Sequence, residues 1–225
     1  MSLIEQLSLQ NHHLVALCGA GGKTSLLYAL GLEWTAQKEK VALTTSTHIQ
    51  AQMPPGCVLW DGPDEEALLS IWRAGLIPVA GRPEGRKLKE PSEAMWAILR
   101  QHADRIVVEA DGAARHPVKY PAVWEPAVPQ YTDRVLVLAG LTALGRPLRE
   151  VCHRADLALE KGVVPDGPLT EAGLAALLLR GYGRYDPLYL LNQADDQALL
   201  ARGEAVASLL RSQGYEGAVL SLKQK

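Results

Sequence analysis

Eight short apolar runs punctuate the chain: 13–18 (HLVALC), 40–45 (KVALTT), 57–60 (CVLW), 77–81 (IPVAG), 105–110 (RIVVEA), 134–140 (RVLVLAG), 188–192 (LYLLN) and 217–222 (GAVLSL). Several are continuous and β-branched rather than alternating, the pattern of strands covered on both faces. Between them, 23–37, 63–74, 91–103, 170–180 and 195–213 carry apolar residues at helical spacing. Pro63 with the acids after it, and Pro91-Ser92-Glu93, supply helix starts. Alternating strands and helices predict an α/β fold: a mostly parallel sheet with helices on both faces. There is no internal repeat and no low-complexity linker, so one domain over residues 1–225 is expected. The longest irregular stretch is PVKYPAVWEPAVP at 117–129, and Pro147 and VVPDGP at 163–168 mark a second loop region. Loops that long in a compact domain are usually functional or covering loops.

Composition narrows the function classes. Hydrophobic residues at 48% and charged residues at 21% describe a soluble globular protein, whose core lacks Phe and must rest on Leu, Val, Ile and Ala. A formal charge of -2, with no arginine-rich or lysine-rich block, gives no electrostatic footprint for nucleic acid. Runs such as LAALLL at 174–179 are too short to cross a bilayer, so no membrane role is expected. MSLIEQLSLQNHH has no basic start and does not read as a secretory signal. Cys18, Cys57 and Cys152 are too scattered for a disulfide framework or a metal knuckle, which points to the reducing cytoplasm. His12, His13, His48 and His153 show no metal-ligand spacing beyond the adjacent pair, which cannot easily share one ion.

The candidate chemistry begins at LVALCGAGGKTSLLYAL, residues 14–30. A strand that ends in glycines and enters a helix presents unpaired N–H groups with the positive end of the helix dipole behind them. Glycines allow positive φ and close approach to phosphate oxygens. Gly19, Ala20, Gly21, Gly22, Lys23, Thr24 and Ser25 therefore form a candidate phosphate loop. Lys23 is placed to reach the β- and γ-phosphates, and the Thr24 hydroxyl to ligate Mg²⁺. The spacing is two residues shorter than the usual Gly-x-x-x-x-Gly-Lys-Ser/Thr, with Leu17 where the first glycine would fall. Short loops of this kind resemble those of Mur-type amide ligases. The alternative is a glycine-rich turn with a surface lysine.

Three later segments bear on that choice. In RIVVEADGAAR (105–115) an apolar strand ends at Glu109, and Glu109-Ala-Asp111-Gly112 fits an acidic-x-x-Gly pattern. Glu109 is a candidate to hold Mg²⁺ through water, Asp111 to orient an attacking water, and Gly112 to offer its N–H to a γ-phosphate; an ordinary Asp-Gly turn is the alternative. In VALTTSTHI (41–49) the hydroxyls of Thr45 or Thr47 could complete metal coordination and His48 could touch phosphate, although threonines also simply suit a strand. In LYLLNQADDQ (188–197), Asn192-Gln193-Ala194-Asp195 approximates the Asn-Lys-x-Asp motif that reads guanine. There Asn192 tethers the loop and Asp195 accepts from the base; the alternative is an asparagine that ends a strand and an aspartate that caps the next helix. Phosphate loop, threonine segment, acidic-x-x-Gly and Asn-x-x-Asp follow one another in the order of a GTPase-like site.

GAGGKTSL, TTSTHI, VVEADGAARHPVKYPAVWEPAVP, VCHR and LLNQAD together resemble the YqeC family, accessory proteins of selenium-dependent molybdenum hydroxylases, over roughly residues 12–195. The resemblance implies a P-loop NTPase-like three-layer sandwich and a setting of molybdenum-enzyme maturation. Its possible partners are a molybdenum hydroxylase or the proteins that handle its cofactor. Ser46 stands where the family tends to carry threonine, and Gln193 where lysine is commoner. Within the long segment, Arg115, His116 and Lys119, followed by Glu125-Pro126, are candidates to stabilise transition-state charge or to bind an anionic second substrate, with His153 and Arg154 as possible additions. Lys87 is a weaker cationic candidate.

Three functions follow from these residues. One is a Mg²⁺-dependent GTP or ATP hydrolase, slow without a partner, with Lys23, Asp111 and Arg115 as catalytic residues. A second is a phosphoryl- or nucleotidyl-transferase or ligase acting on a pterin-type or other small anion. The third is a non-catalytic carrier of a nucleotide-bearing cofactor.

Overall fold

The computed structural model describes residues 2–51 and 53–222. All eight expected strands form: β1 (Leu14–Gly19), β2 (Val41–Thr45), β3 (Cys57–Trp60), β4 (Ile77–Ala80), β5 (Arg105–Glu109), β6 (Arg134–Gly140), β7 (Leu188–Asn192) and β8 (Glu216–Val219). So do the five expected helices: α1 (Lys23–Ala36), α2 (Glu65–Arg73), α3 (Glu93–His102), α4 (Glu171–Tyr182) and α5 (Gln197–Ser212). Four of these helices start on a side-chain cap: Asp64 accepts from Ala67 N–H, Ser92 from Met95, Thr170 from Gly173 and Asp196 from Leu199. β8 stops short of the expected residue 222, because past Leu220 the chain leaves the ladder. Leu222 N–H turns instead to the Asn192 side chain, at 3.1 Å.

The chain divides into two compact units. The first is Met1–Leu17, Thr24–Asp111 and Ala127–Arg134; the second is Cys18–Lys23, Gly112–Pro126 and Val135–Lys225. In the first, β1, β5, β2, β4 and β3 lie side by side in that order, every pair parallel. Leu17 stands opposite Glu109, and Thr45 opposite Glu109 from the other side, so three candidate elements end level with one another. Leu68 of α2 and Met95 and Leu99 of α3 join Leu14, Ala42, Trp60, Ala80, Ile106 and Val108 in a continuous core. The first unit also holds a small antiparallel sheet of His48–Gln50, Arg82–Glu84 and Lys87–Lys89.

In the second unit β6, β7 and β8 are parallel neighbours with β7 in the middle. The α5 helix packs closely enough that a side chain at Gly203 would strike Leu141 and Val219. Arg202 of α5 bonds Glu171 of α4 at 2.5 Å. A two-residue parallel bridge, Val118–Lys119 against Cys152–His153, gives the proline-rich segment a fixed anchor. Both units are thus α/β with parallel strands, the class that the strand–helix order predicts.

Candidate functional site

The glycine loop is part of the second unit. Leu17 is buried within β1, which runs on to Gly19, so the loop proper starts where the strand ends. Gly19, Gly21 and Gly22 take φ of 84°, 80° and 133°, a region that L side chains avoid. Sterics demand glycine as well. A Cβ at Gly19 would collide with the Leu138 carbonyl oxygen, and one at Gly21 with the backbone of Gly140 and the Pro117 carbonyl. Ala20 N–H donates to Leu138 O at 2.9 Å. Lys23 is buried, and its ammonium folds back to the Gly19 carbonyl at 2.6 Å. The Asn192 amide donates to Gly21 O at 2.7 Å, and a Cβ at Gly22 would collide with it.

The next motif residue, Asp195, accepts from Ser221 Oγ at 2.6 Å. The cap of α5 is Asp196, so helix capping does not account for Asp195. Gln193, the departure from the guanine motif, has φ 69° and accepts from Thr142 Oγ1 at 2.6 Å.

The acidic half of the motif set lies in the first unit. Thr24 Oγ1 donates to Glu109 Oε2 at 3.0 Å, so the two residues proposed as metal ligands already touch. The donor set, a hydroxyl and a carboxylate, is one of hard oxygens that suits Mg²⁺, which completes its shell with waters and phosphates. Thr45 is fully buried; its hydroxyl donates to Glu109 O at 2.8 Å and accepts from Thr47 N–H at 3.0 Å. Ser46 N–H bonds the same Glu109 carbonyl at 3.1 Å. The threonine segment therefore clamps the end of β5 and fixes where Glu109 points. Asp111, two residues on, is fully buried. His48 sits on the small antiparallel sheet facing Glu84 at 3.1 Å, with Lys89 pairing the same carboxylate. Among the described residues no cluster of three or more His, Cys, Asp or Glu side chains has metal-site geometry.

Tyr28 is a residue that motif reading overlooks. One helical turn beyond Thr24, it shares a cavity of about 500 Å³ with Thr24, Gln50, Met53 and Pro54. Burial, with Cys57 and Glu109 nearby, pushes its hydroxyl up to about 12. The i, i+4 spacing from Thr24 is the signal that could have found it.

The basic segment belongs to the second unit and departs from expectation. Arg115 is exposed, at the second of two consecutive left-handed residues (Ala114 φ 46°, Arg115 φ 63°). Lys119, a candidate cation for substrate, is instead buried against Glu125 at 3.0 Å. Arg154 clasps the same carboxylate with Nε at 3.2 Å and Nη2 at 3.0 Å. Burial pushes Glu125 up, but bonds from Arg154, Ala122 N–H and Lys119 outweigh it and leave Glu125 below the usual carboxylate range. The His116 and His153 rings lie 5.8 Å apart. Burial, with Lys119 and Arg154 beside it, pulls His153 below its ordinary value.

The model of the family described as YqeC protein matches residues 15–156, more than half of the chain, from the glycine loop through the Glu125 segment to Arg154. The uncharacterized Escherichia coli (strain K12) protein YqeC is 29% identical over 188 residues, covering 76% of this chain and 69% of its own length. Among solved structures, the crystal structure of hydrogenase maturation factor HypB from Archaeoglobus fulgidus is similar at a TM-score of 0.46 and 16% identity, over 97% of this chain and 86% of that one. No described helix is long and apolar enough to cross a membrane.

Proposed function

The chain belongs to the YqeC family, and we propose that it is a Mg²⁺-dependent nucleoside-triphosphate-binding protein, with residues 1–225 acting as one P-loop domain. The observation that carries this reading is the loop at 19–23. Three glycines are held at positive φ, a buried lysine folds over the loop, and an asparagine tethers it. A surface turn with a solvent lysine needs none of these, whereas a cradle for a polyanion needs all three: open N–H groups, a cation and a fixed shape.

Lys23 exchanges its bond to Gly19 O for phosphate oxygens. Gly19 to Gly22 surround the phosphates with backbone N–H groups, and Ser25 extends the loop into the first turn of α1. Thr24 and Glu109, with the hydroxyl of Thr45 behind them, would hold Mg²⁺, which when bound neutralises phosphate charge and favours attack at phosphorus. Asp111 orients the attacking water, Gly112 contacts the γ-phosphate, and Arg115, exposed on its strained turn, offers a cation to the leaving charge. Asp195 reads the base, with GTP or ATP as the nucleotide. Hydrolysis is slow by itself and assists maturation or cofactor insertion of a molybdenum hydroxylase, the setting that the family resemblance supplies.

Calorimetric titration with GTP, ATP and CTP in Mg²⁺ tests the reading. One of them should bind, and Lys23→Ala should weaken it at least about a hundredfold, the scale of two lost charge-assisted bonds. Equal binding by Lys23→Ala, or no binding by the wild type, sinks the proposal. Preference among bases that survives Asp195→Ala rejects the base-reading role. Phosphate release without an added acceptor separates hydrolysis from group transfer.

A further inference from the structure

The side chain of Lys119 has no exposed surface, yet its surroundings are charges and carbonyls rather than core. Its ammonium donates to Gly112 O at 2.5 Å and pairs with Glu125 at 3.0 Å. Glu125 is itself fixed four more times: twice by Arg154, once by Ala122 N–H at 3.1 Å, and through its carbonyl by Arg184 at 3.0 Å. A buried ammonium is costly unless its partners are exactly placed, and a methionine would fill the same volume without that cost. A lysine here therefore serves geometry rather than packing.

The geometry it sets is that of the Gly112 loop. Gly112 has an ordinary φ, and the space where a Cβ would sit is open, so neither strain nor crowding calls for glycine there. Two residues on, Ala114 and Arg115 are both left-handed, a pairing that persists only where the surroundings over-determine it. Across that turn run His116 N–H to Ala113 O at 2.9 Å and the His116 ring to the same carbonyl at 3.3 Å. Carbonyl and N–H point in opposite directions across a trans peptide. By pulling the Gly112 oxygen inward, Lys119 turns the N–H of the 112–113 peptide away from itself.

We infer that Lys119 is a positioning residue. Its ammonium, braced by Glu125 and Arg154, aims the N–H of the 112–113 peptide at a terminal phosphate and so sets how strongly the protein prefers a nucleoside triphosphate to the diphosphate. The inference rests on the nucleotide reading above. It assigns the cation of this segment to the loop rather than to a second substrate.

Calorimetry with nucleoside triphosphate and diphosphate on wild type, Lys119→Met and Glu125→Gln tests it, alongside hydrogen exchange of residues 112–116 without nucleotide. Lys119→Met should lower the triphosphate-to-diphosphate affinity ratio roughly tenfold, the worth of one hydrogen bond to a charged group. Diphosphate affinity should stay within about twofold on the same scale, and exchange at 113–116 should quicken. Glu125→Gln should move both readouts the same way by less. A folded Lys119→Met with an unchanged ratio overturns the inference. If that variant does not fold, an unchanged ratio and unchanged exchange in Glu125→Gln overturn it. A wild type that binds neither nucleotide fails the nucleotide reading itself, a result distinct from these.

Discussion

The glycine loop at 19–23 and the proline-rich segment at 112–126 belong to the same unit and are held by opposite means. The first takes its shape from sterics and backbone: positive φ at three glycines, a main-chain bond to Leu138 and the Asn192 amide on Gly21. The second takes its shape from buried charge, with Lys119 and Arg154 converging on Glu125. A loop meant to receive a polyanion gains from the first method, because a steric scaffold keeps its N–H groups open and adds no competing carboxylate. A loop meant to respond to a ligand gains from the second, because charges couple over distance and change with pH. The backbone of the glycine loop should therefore be intolerant of added volume, and the shape of the other segment should be sensitive to charge.

The sharpest test of that contrast pairs Gly21→Ala with Gly112→Ala. At Gly21 the new methyl meets only backbone, at Gly140 and Pro117, with φ at 80°. Nothing there can rotate aside, so strain and overpacking together should cost about 3 kcal/mol or more and abolish triphosphate binding. At Gly112 the methyl enters open space at ordinary φ, so stability should stay within about 0.5 kcal/mol of wild type. Triphosphate binding should still fall, because the methyl occupies the approach to the loop. Urea denaturation read beside calorimetry separates the two; a Gly21→Ala protein as stable as wild type would remove the steric account of the glycine loop.

Asn192→Ala probes a side chain that supports the glycine loop from β7. It deletes the donor to Gly21 O and the acceptor for Leu222 N–H, both in a nearly buried setting. A loss of about 1–2 kcal/mol is expected, the usual cost of stranding a buried polar group, smaller than for Gly21→Ala. Thermal denataturation measures it. A larger loss than for Gly21→Ala would mean that the amide, and not the glycines, sets the loop.

Much of this contrast is legible in the sequence, and the division is physical. β1, β2 and β7 are buried at every position, so their continuous apolar runs could not be mistaken for half-exposed strands. The glycine loop announces itself because its backbone, with positive φ at Gly19, Gly21 and Gly22, depends on local glycine spacing. The small sheet of 48–50, 82–84 and 87–89 leaves no such mark: its strands are three residues long and mostly exposed. Lys119 marks the limit most clearly. In sequence it is one cation among Arg115, His116 and Lys119, and nothing local separates them. Only the pairing of 118–119 with 152–153 brings Arg154 to Glu125 and commits Lys119 to the loop. Partnerships formed across the fold are what residue spacing does not carry.

The smallest effect, and the one that tests the charge-built half by itself, is a pH dependence centred on His153. Burial is the largest influence on it and pulls it down from 6.5; Lys119, Arg154 and the His116 ring act the same way, and Glu125 opposes them. The unfolded chain therefore binds a proton at this histidine before the folded chain does, and stability rises with pH wherever the unfolded state holds more protons. Acidification from neutral through 6.5 should destabilise the protein, and the loss should level off once pH falls below the folded value. Glu125, held below its ordinary 4.5, is a second and separate step: its contribution is complete above 4.5 and is lost as pH drops through its folded value. His153→Gln should remove the first step and leave the second. Urea midpoints measured every half unit from pH 7.5 to about 4, for wild type and His153→Gln, resolve the two. Curves that coincide between neutrality and pH 5 would show that neither burial nor the cations beside it lower the histidine, and would remove the pH-sensitive charge account of this segment.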